Sequence, residues 1–223
     1  MAQITDQTLA DAIEIIKDKL YMTFHPEDSA ARSSPNYVLF TNDKSLVFTS
    51  FFADFGPLDL GHTVKFCNQL QDTLARAHTS GKPVVYSCSD HPHARSNGAV
   101  MICAYMIFVH NCTTERAYGP FMGINPPFIT FRDAGFCINT FPVTVLDCAR
   151  SMRRACNLGH FNYKTFNVNG FHALAKLQNG DFSWIVPGKF LAFSGPLTKR
   201  RQLSPGVFSL TPEGYVPVMK RLD

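Results

Sequence analysis

Short apolar runs rich in β-formers alternate with longer stripes at helical spacing along this chain, the pattern of an α/β fold. Leu9, Ile13, Ile16 and Leu20 recur at helical intervals, with Asp11, Glu14, Lys17 and Asp18 outside the stripe. They predict an amphipathic first helix capped by Thr5 or Asp6. Leu20 to Phe24 then reads as a strand. Tyr37 to Thr41 and Ser45 to Phe52, joined by Asn42-Asp43-Lys44, read as a hairpin with Phe48, Phe51 and Phe52 in the core. Gly56-Pro57 punctuates the chain before a helix capped by Asp59. That helix runs to about His78, with Leu60, Val64, Cys67, Leu70 and Leu74 inward.

The centre of the pattern is Pro83 to His110. Val84 to Tyr86 is a buried strand and Ser87 to Arg95 a polar loop. Ser96 or Asn97 caps a helix that is apolar nearly all round from Ala99 to Val109. A run of that length suits a core helix and falls short of the roughly 20 residues of a membrane span. Further on, Asn111 to Phe121 reads as a short helix, and Phe128 to Phe131 as an extended piece. Arg132-Asp133 reads as an internal or rim ion pair. Thr140 with Pro142 starts a helix that carries Val145, Ala149, Met152 and Cys156 on one face and stops at Gly159. Phe166 to Leu177 is a connecting helix, Phe182 to Ser194 a strand pair or one long strand, and Pro212 to Leu222 a last helix. Residues past Asp181 have too few apolar positions to hold a core of their own.

Composition narrows the class. Hydrophobic residues make up 45% and charged residues 17%, which excludes a disordered chain. The net charge of +4 is too mild for nucleic-acid binding without a patch, and Lys199-Arg200-Arg201 is too short to be one. The seven cysteines are odd in number, scattered and without a CxxC pair, as in reduced thiols of an intracellular protein of the cytoplasm or nucleus. No signal peptide or membrane association is expected.

Candidate chemistry centres on Cys88 and, seven positions on, Arg95. Cysteine-dependent phosphatases set a thiolate nucleophile and a phosphate-gripping guanidinium around a loop whose amides converge on the anion. Here six residues intervene, the loop has no Gly, and His91-Pro92-His93 sits in its middle. The extra residue spoils convergence. Asp54 and Asp59 stand where an upstream general acid could sit, and both also suit a plain polar turn. Asp54-Phe55-Gly56 matches the kinase metal-holding triplet without its companions. Cys88, His91 and His93 are donor types for a metal, with no second ligand pair nearby. No metal or cofactor is expected.

Three stretches carry a family resemblance: Phe52-Ala-Asp-Phe-Gly-Pro-Leu, Pro127-Phe-Ile-Thr-Phe-Arg-Asp-Ala, and the long run from Asn179 to Pro196. They resemble the cell-division-cycle-fourteen dual-specificity phosphatases, and the likeness covers nearly the whole chain. That resemblance implies two phosphatase-like α/β folds in tandem, each a central sheet flanked by helices. Residues 1–165 would be the catalytically silent first fold, 166–178 the linker helix, and 179–223 the short, incomplete opening of the catalytic fold. No His-Cys-x5-Arg segment follows, so the family's nucleophile, arginine and acid have no positions here. The expected function is substrate recognition: phosphoproteins with proline-directed phosphoserine or tyrosine sites would lie in a groove shared with a missing catalytic domain. Arg132, Asp133, His172 and Trp184 are its expected residues. The family's linker is acidic, whereas Asn167 to Leu177 has no Asp or Glu. Two alternatives stand beside this reading. One is a free-standing pseudophosphatase that holds phosphopeptides at the Ser87 to Asn97 loop. The other is an active phosphatase that uses Cys88, Arg95 and Asp54 or Asp59.

Overall fold

The computed structural model describes residues 11–27, 31 and 33–221. Its first elements are strands, β1 (Ile13–Ile16) and β2 (Leu20–His25), where the spacing predicted a helix. Ile15 and Tyr21, off the helical stripe, are buried together with Leu20 and Met22. Branched and aromatic residues fill both runs, and sheet burial outweighs the helical interval. Asp18 turns the chain between them at φ 59°, its amide held by the Glu14 carboxylate. Thr5, Asp6 and Leu9 lie outside the described residues.

β3 (Val38–Phe40) follows, but residues 45–52 form no strand, so the expected hairpin is absent. Phe48 is half-buried, and Phe51 and Phe52 are 86% and 50% exposed rather than core. β3 finds its partner far along the chain in β4 (Val84–Ser89) and needs no local return strand. The sheet runs β1-β2-β4-β3, with β2 and β3 both parallel to the central β4. Leu20 pairs with Val84 and His25 with Ser89, so the carboxyl ends of three strands open at one edge of the sheet.

The helices cover the sheet. In α1 (Leu60–Thr79), Asp59 is the cap and accepts from the His62 amide at 2.8 Å. Val64, Cys67 and Leu70 point inward as expected, whereas Leu60 stays exposed. Phe66 of α1, Phe40 of β3 and Tyr86 of β4 form a ring triangle with centroids 5.1–5.7 Å apart. α2 (Pro92–Phe108) is the core helix, buried without a break from Gly98 to Ile107. It packs against β4, α1, α3 (Thr114–Tyr118) and α4 (Val145–Asn157). α4 starts later than Thr140. Phe131 and Val143 exchange backbone hydrogen bonds, which hold the chain through Pro142 extended. The helix therefore begins at a Thr144–Asp147 capping box.

The chain divides into two units, residues 1–158 and 159–223. The second holds α5 (Val168–Leu174), the hairpin of β5 (Ser183–Val186) and β6 (Phe190–Ala192), and α6 (Pro212–Met219). It also holds a hairpin that the sequence pattern did not reveal, β7 (Gln202–Ser204) with β8 (Val207–Phe208). Phe161, Phe182 and Tyr215 are its buried rings, and the exposed Phe193 packs beside Phe182 and Tyr215, with the three centroids 5.3–5.8 Å apart. The Tyr215 hydroxyl donates to the Ser194 carbonyl at 2.6 Å. Ile185, Phe190, Leu203 and Val216 are exposed. No helix among the described residues is long and apolar enough to cross a membrane.

Candidate functional site

The segment expected to be a loop from Ser87 to Arg95 is mostly regular structure. β4 runs on to Ser89 and α2 begins at Pro92, leaving Asp90 and His91 between them. Ser96 and Asn97 therefore lie inside the helix, and the cap is His91, whose Nδ1 accepts from the His93 amide at 3.2 Å. Proline at the first helical position favours this early start. Several amides of this segment are engaged within the chain. Asp90 donates to the His25 carbonyl at 2.8 Å, His91 to Ser89 Oγ at 3.1 Å, and Arg95 to the His91 carbonyl at 3.0 Å.

Cys88 is 2% exposed. Gly98 lets α2 close over it: a Cβ at position 98 would meet Cys88 Sγ at 2.8 Å and Met22 Cε at 2.9 Å. Burial drives the thiol's pKa far above its ordinary value, and the Asp43 charge pushes it further. Tyr86 and Arg95 oppose this without reversing it. A thiol kept protonated is a poor nucleophile.

Arg95 is 6% exposed and its guanidinium is engaged within the chain. Its Nη2 donates to the Pro126 carbonyl at 2.7 Å, and its guanidinium stacks over Phe24 at 4.8 Å and Phe128 at 5.6 Å. The next two residues act in the same way. Ser96 Oγ donates to the Ile129 carbonyl at 2.9 Å and Asn97 Nδ2 to the Phe55 carbonyl at 2.7 Å. Three consecutive α2 residues thus anchor three remote points of the chain. The Asn97 anchor also demands Gly56, at φ 152°, where a Cβ would stand 2.3 Å from Asn97 Oδ1.

The two candidate acids do not join Cys88. Asp54 accepts from the Phe51 and Phe52 amides at 2.9 and 2.8 Å, and the Phe52 amide leads in holding its carboxyl below the usual range, opposite to what a general acid needs. Asp59 caps α1 and lies 2.9 Å from His62 Nδ1. Arg132 knits its own loop: Nη2 donates to the Gly135 and Cys137 carbonyls at 2.8 and 3.0 Å, with Asp133 Oδ1 3.7 Å away. In the second unit His172 is half-buried on α5. Trp184 on β5 lines a groove of about 460 Å³ with Leu191, Tyr215 and Val216.

The carboxyl ends of β2, β3 and β4 gather residues that the sequence pattern placed in a turn (Asp43) and in loops (His25, Ser87). His25 Nε2 lies 3.2 Å from Asp43 Oδ2, and His25 Nδ1 lies 2.9 Å from Ser87 Oγ. The order serine, histidine, aspartate suggests a hydrolase triad, but Ser87 is 2% exposed and its hydroxyl cannot reach a substrate. Burial raises the Asp43 carboxyl above its usual range, while His25, the Ser89 amide and Thr41 pull it down. No local sequence signal marks this cluster, because parallel pairing of three separate strands creates it.

Comparison with known proteins matches this architecture to one family. Residues 14–155 fit the family model described as dual specificity protein phosphatase, N-terminal half. The chain is 40% identical over 215 residues to the human dual specificity protein phosphatase CDC14A, covering 96% of this chain and 36% of that protein. It is 38% identical over 217 residues to the Danio rerio dual specificity protein phosphatase CDC14AB, covering 97% of this chain and 35% of the relative. Against the Schizosaccharomyces pombe tyrosine-protein phosphatase CDC14 homolog it is 33% identical over 195 residues, covering 86% and 36%. The chain thus spans little more than a third of these relatives' lengths. With the family model lying over its sheet and covering helices, the chain belongs to the dual-specificity protein phosphatase family, residues 14–155 matching that family's N-terminal half and CDC14 proteins standing among its relatives.

Proposed function

We propose that this chain is the non-catalytic, substrate-recognition part of an intracellular dual-specificity phosphatase that acts on phosphoproteins at proline-directed phosphoserine and tyrosine sites in cell-cycle control. In this reading residues 1–165 form the silent fold, 166–178 the linker, and 179–223 the opening strand and helix of the catalytic fold. Arg132, Asp133, His172 and Trp184 contribute to the substrate groove. The observation that carries the proposal is the fate of the Cys88–Arg95 segment. Its sulfur is sealed under Gly98, its guanidinium is bound to the Pro126 carbonyl, and its Asp90, His91 and Arg95 amides are engaged within the chain. The names of the relatives supply the phosphatase context, and the exposed Ile185 and Phe190 of the second unit suit an element that completes itself against further chain.

Hydrolysis of p-nitrophenyl phosphate and of a phosphotyrosine peptide tests the silent assignment. The expected rate equals that of Cys88→Ser, at background. Turnover that disappears in Cys88→Ser would reinstate Cys88 as a nucleophile. A phosphopeptide titration bears on the interaction-module reading: the Ser87–Asn97 segment is expected to contribute nothing, and affinity lost in Arg95→Ala with the fold intact would show otherwise.

A further inference from the structure

Three hydroxyl residues of the chain precede a proline: Ser34, Ser204 and Thr211. Two of them serve the fold and are half-buried. Ser34 Oγ accepts from the Asn36 amide at 3.2 Å, and Thr211 Oγ1 caps α6 by accepting from the Gly214 amide at 3.3 Å. Ser204 differs. It ends β7, and residues 195–206 are exposed without a break. Pro205 and Gly206, the latter at φ 77°, turn the chain back so that Ser204 pairs with Val207. Proline followed by glycine is the residue order of a type II turn. β7 and β8 make a two-stranded sheet, and a ribbon this small opens locally at little cost. An enzyme that modifies extended chain therefore meets Ser204 at an accessible, easily loosened tip.

The surroundings separate two classes of kinase. Arg201 lies three residues before Ser204, with Arg200 and Lys199 behind it, a pattern that charge-reading kinases select. That end of the ribbon is tied down. The Arg201 amide donates to Oγ of the buried Ser209 at 2.8 Å, and its carbonyl accepts from the Ser209 amide at 2.8 Å. The Arg200 guanidinium lies over the Phe208 ring at 4.4 Å. Ser204 and Pro205 lie beyond these ties. Pro205 has a fixed φ and no amide hydrogen. A cleft that bonds the amide after the acceptor loses that bond here, whereas a cleft shaped for the ring takes a segment that is already rigid.

We propose that Ser204 is the phosphate acceptor of a proline-directed serine/threonine kinase. Ser204 Oγ bonds to the γ-phosphorus of ATP as the bond from that phosphorus to the β–γ bridging oxygen breaks. The hydroxyl proton passes to the kinase's catalytic carboxylate, and ADP leaves. The product puts a charge of about −1.5 to −2 on a loop that carries Lys199, Arg200 and Arg201. The site lies within the second unit and does not depend on the phosphatase reading.

The whole chain with ATP is treated in parallel with a mitogen-activated protein kinase, which is proline-directed, and with cyclic-AMP-dependent protein kinase, which reads basic residues. Intact mass and peptide mapping give the extent and position of transfer. The proline-directed kinase is expected to place phosphate on Ser204, and Ser204→Ala to abolish it. Pro205→Ala is expected to slow transfer about tenfold or more, and Arg201→Ala to leave the rate within about twofold. Both replaced side chains are exposed, and circular dichroism checks that the fold is kept. Absence of transfer, phosphate mapped chiefly to Ser34 or Thr211, a rate unmoved by Pro205→Ala, or faster transfer by the cyclic-AMP-dependent kinase would each overturn the proposal.

Discussion

Arg95 carries a permanent charge into a setting with little water, held by one carbonyl and two phenyl faces. Removing it orphans the Pro126 carbonyl and opens the space between Phe24 and Phe128. Arg95→Ala is therefore expected to lower unfolding free energy by about 2 kcal/mol or more, measured as a fall in the urea midpoint at unchanged slope. The thiols give a second test at this scale. Burial pushes Cys103 up to about 12 and Cys148 up to about 11, and lifts Cys88 further still. Iodoacetamide at pH 8 is expected to label the exposed Cys137 within minutes and to leave Cys88 and Cys103 unmodified while the chain stays folded. Rapid native labelling of Cys88 would contradict its burial. The spacing of Cys88 and Arg95 was enough to argue against a phosphate cradle. It could not show that Arg95, Ser96 and Asn97 hold residues 126, 129 and 55, since those partners are remote in sequence.

The elements that local signals specify well are α1, β4 and α2. Asp59 caps the first, and an unbroken apolar run identifies the third. β1, β3 and the start of α4 depend on pairing with distant segments, so the Ile13–Ile16 interval and the Thr140-x-Pro142 signal misled. The true start of α4 is a reciprocal cap. The Thr144 hydroxyl leads in holding the Asp147 carboxyl below its ordinary range. Thr144→Ala is expected to cost about 1 kcal/mol near neutral pH. The sign with pH follows from the lowered folded-state value. The contribution of Asp147 is complete above the unfolded carboxyl pKa of about 3.9 and disappears as pH falls through the folded value. Wild type and Thr144→Ala should therefore differ less in thermal midpoint at pH 2.5 than at pH 7, and an equal gap would assign the loss to something other than this carboxylate.

At the scale of the molecule the two units are unequal in how deeply they are built. The first buries α2 from Gly98 to Ile107; the second buries few rings, Phe161, Phe182 and Tyr215, with Ile185, Phe190, Leu203 and Val216 open to solvent. Amide hydrogen exchange is expected to be fastest in the β7–β8 hairpin and slowest in Val100 to Ile107, and comparable protection in the two would count against the shallow core. The apolar count past Asp181 predicted no separate core, whereas Phe182 and Tyr215 are buried against each other there; β7 and β8 were not legible, because Gln202–Ser204 and Val207–Phe208 show no alternation long enough to read. The Arg95 anchor also bears on reversibility. One guanidinium cannot grip an oxyanion and brace the chain at Pro126 at once. Trimming a residue between Cys88 and Arg95 would thus trade rigidity for a half-made trap, and restoring turnover would also require a substitute brace for Pro126.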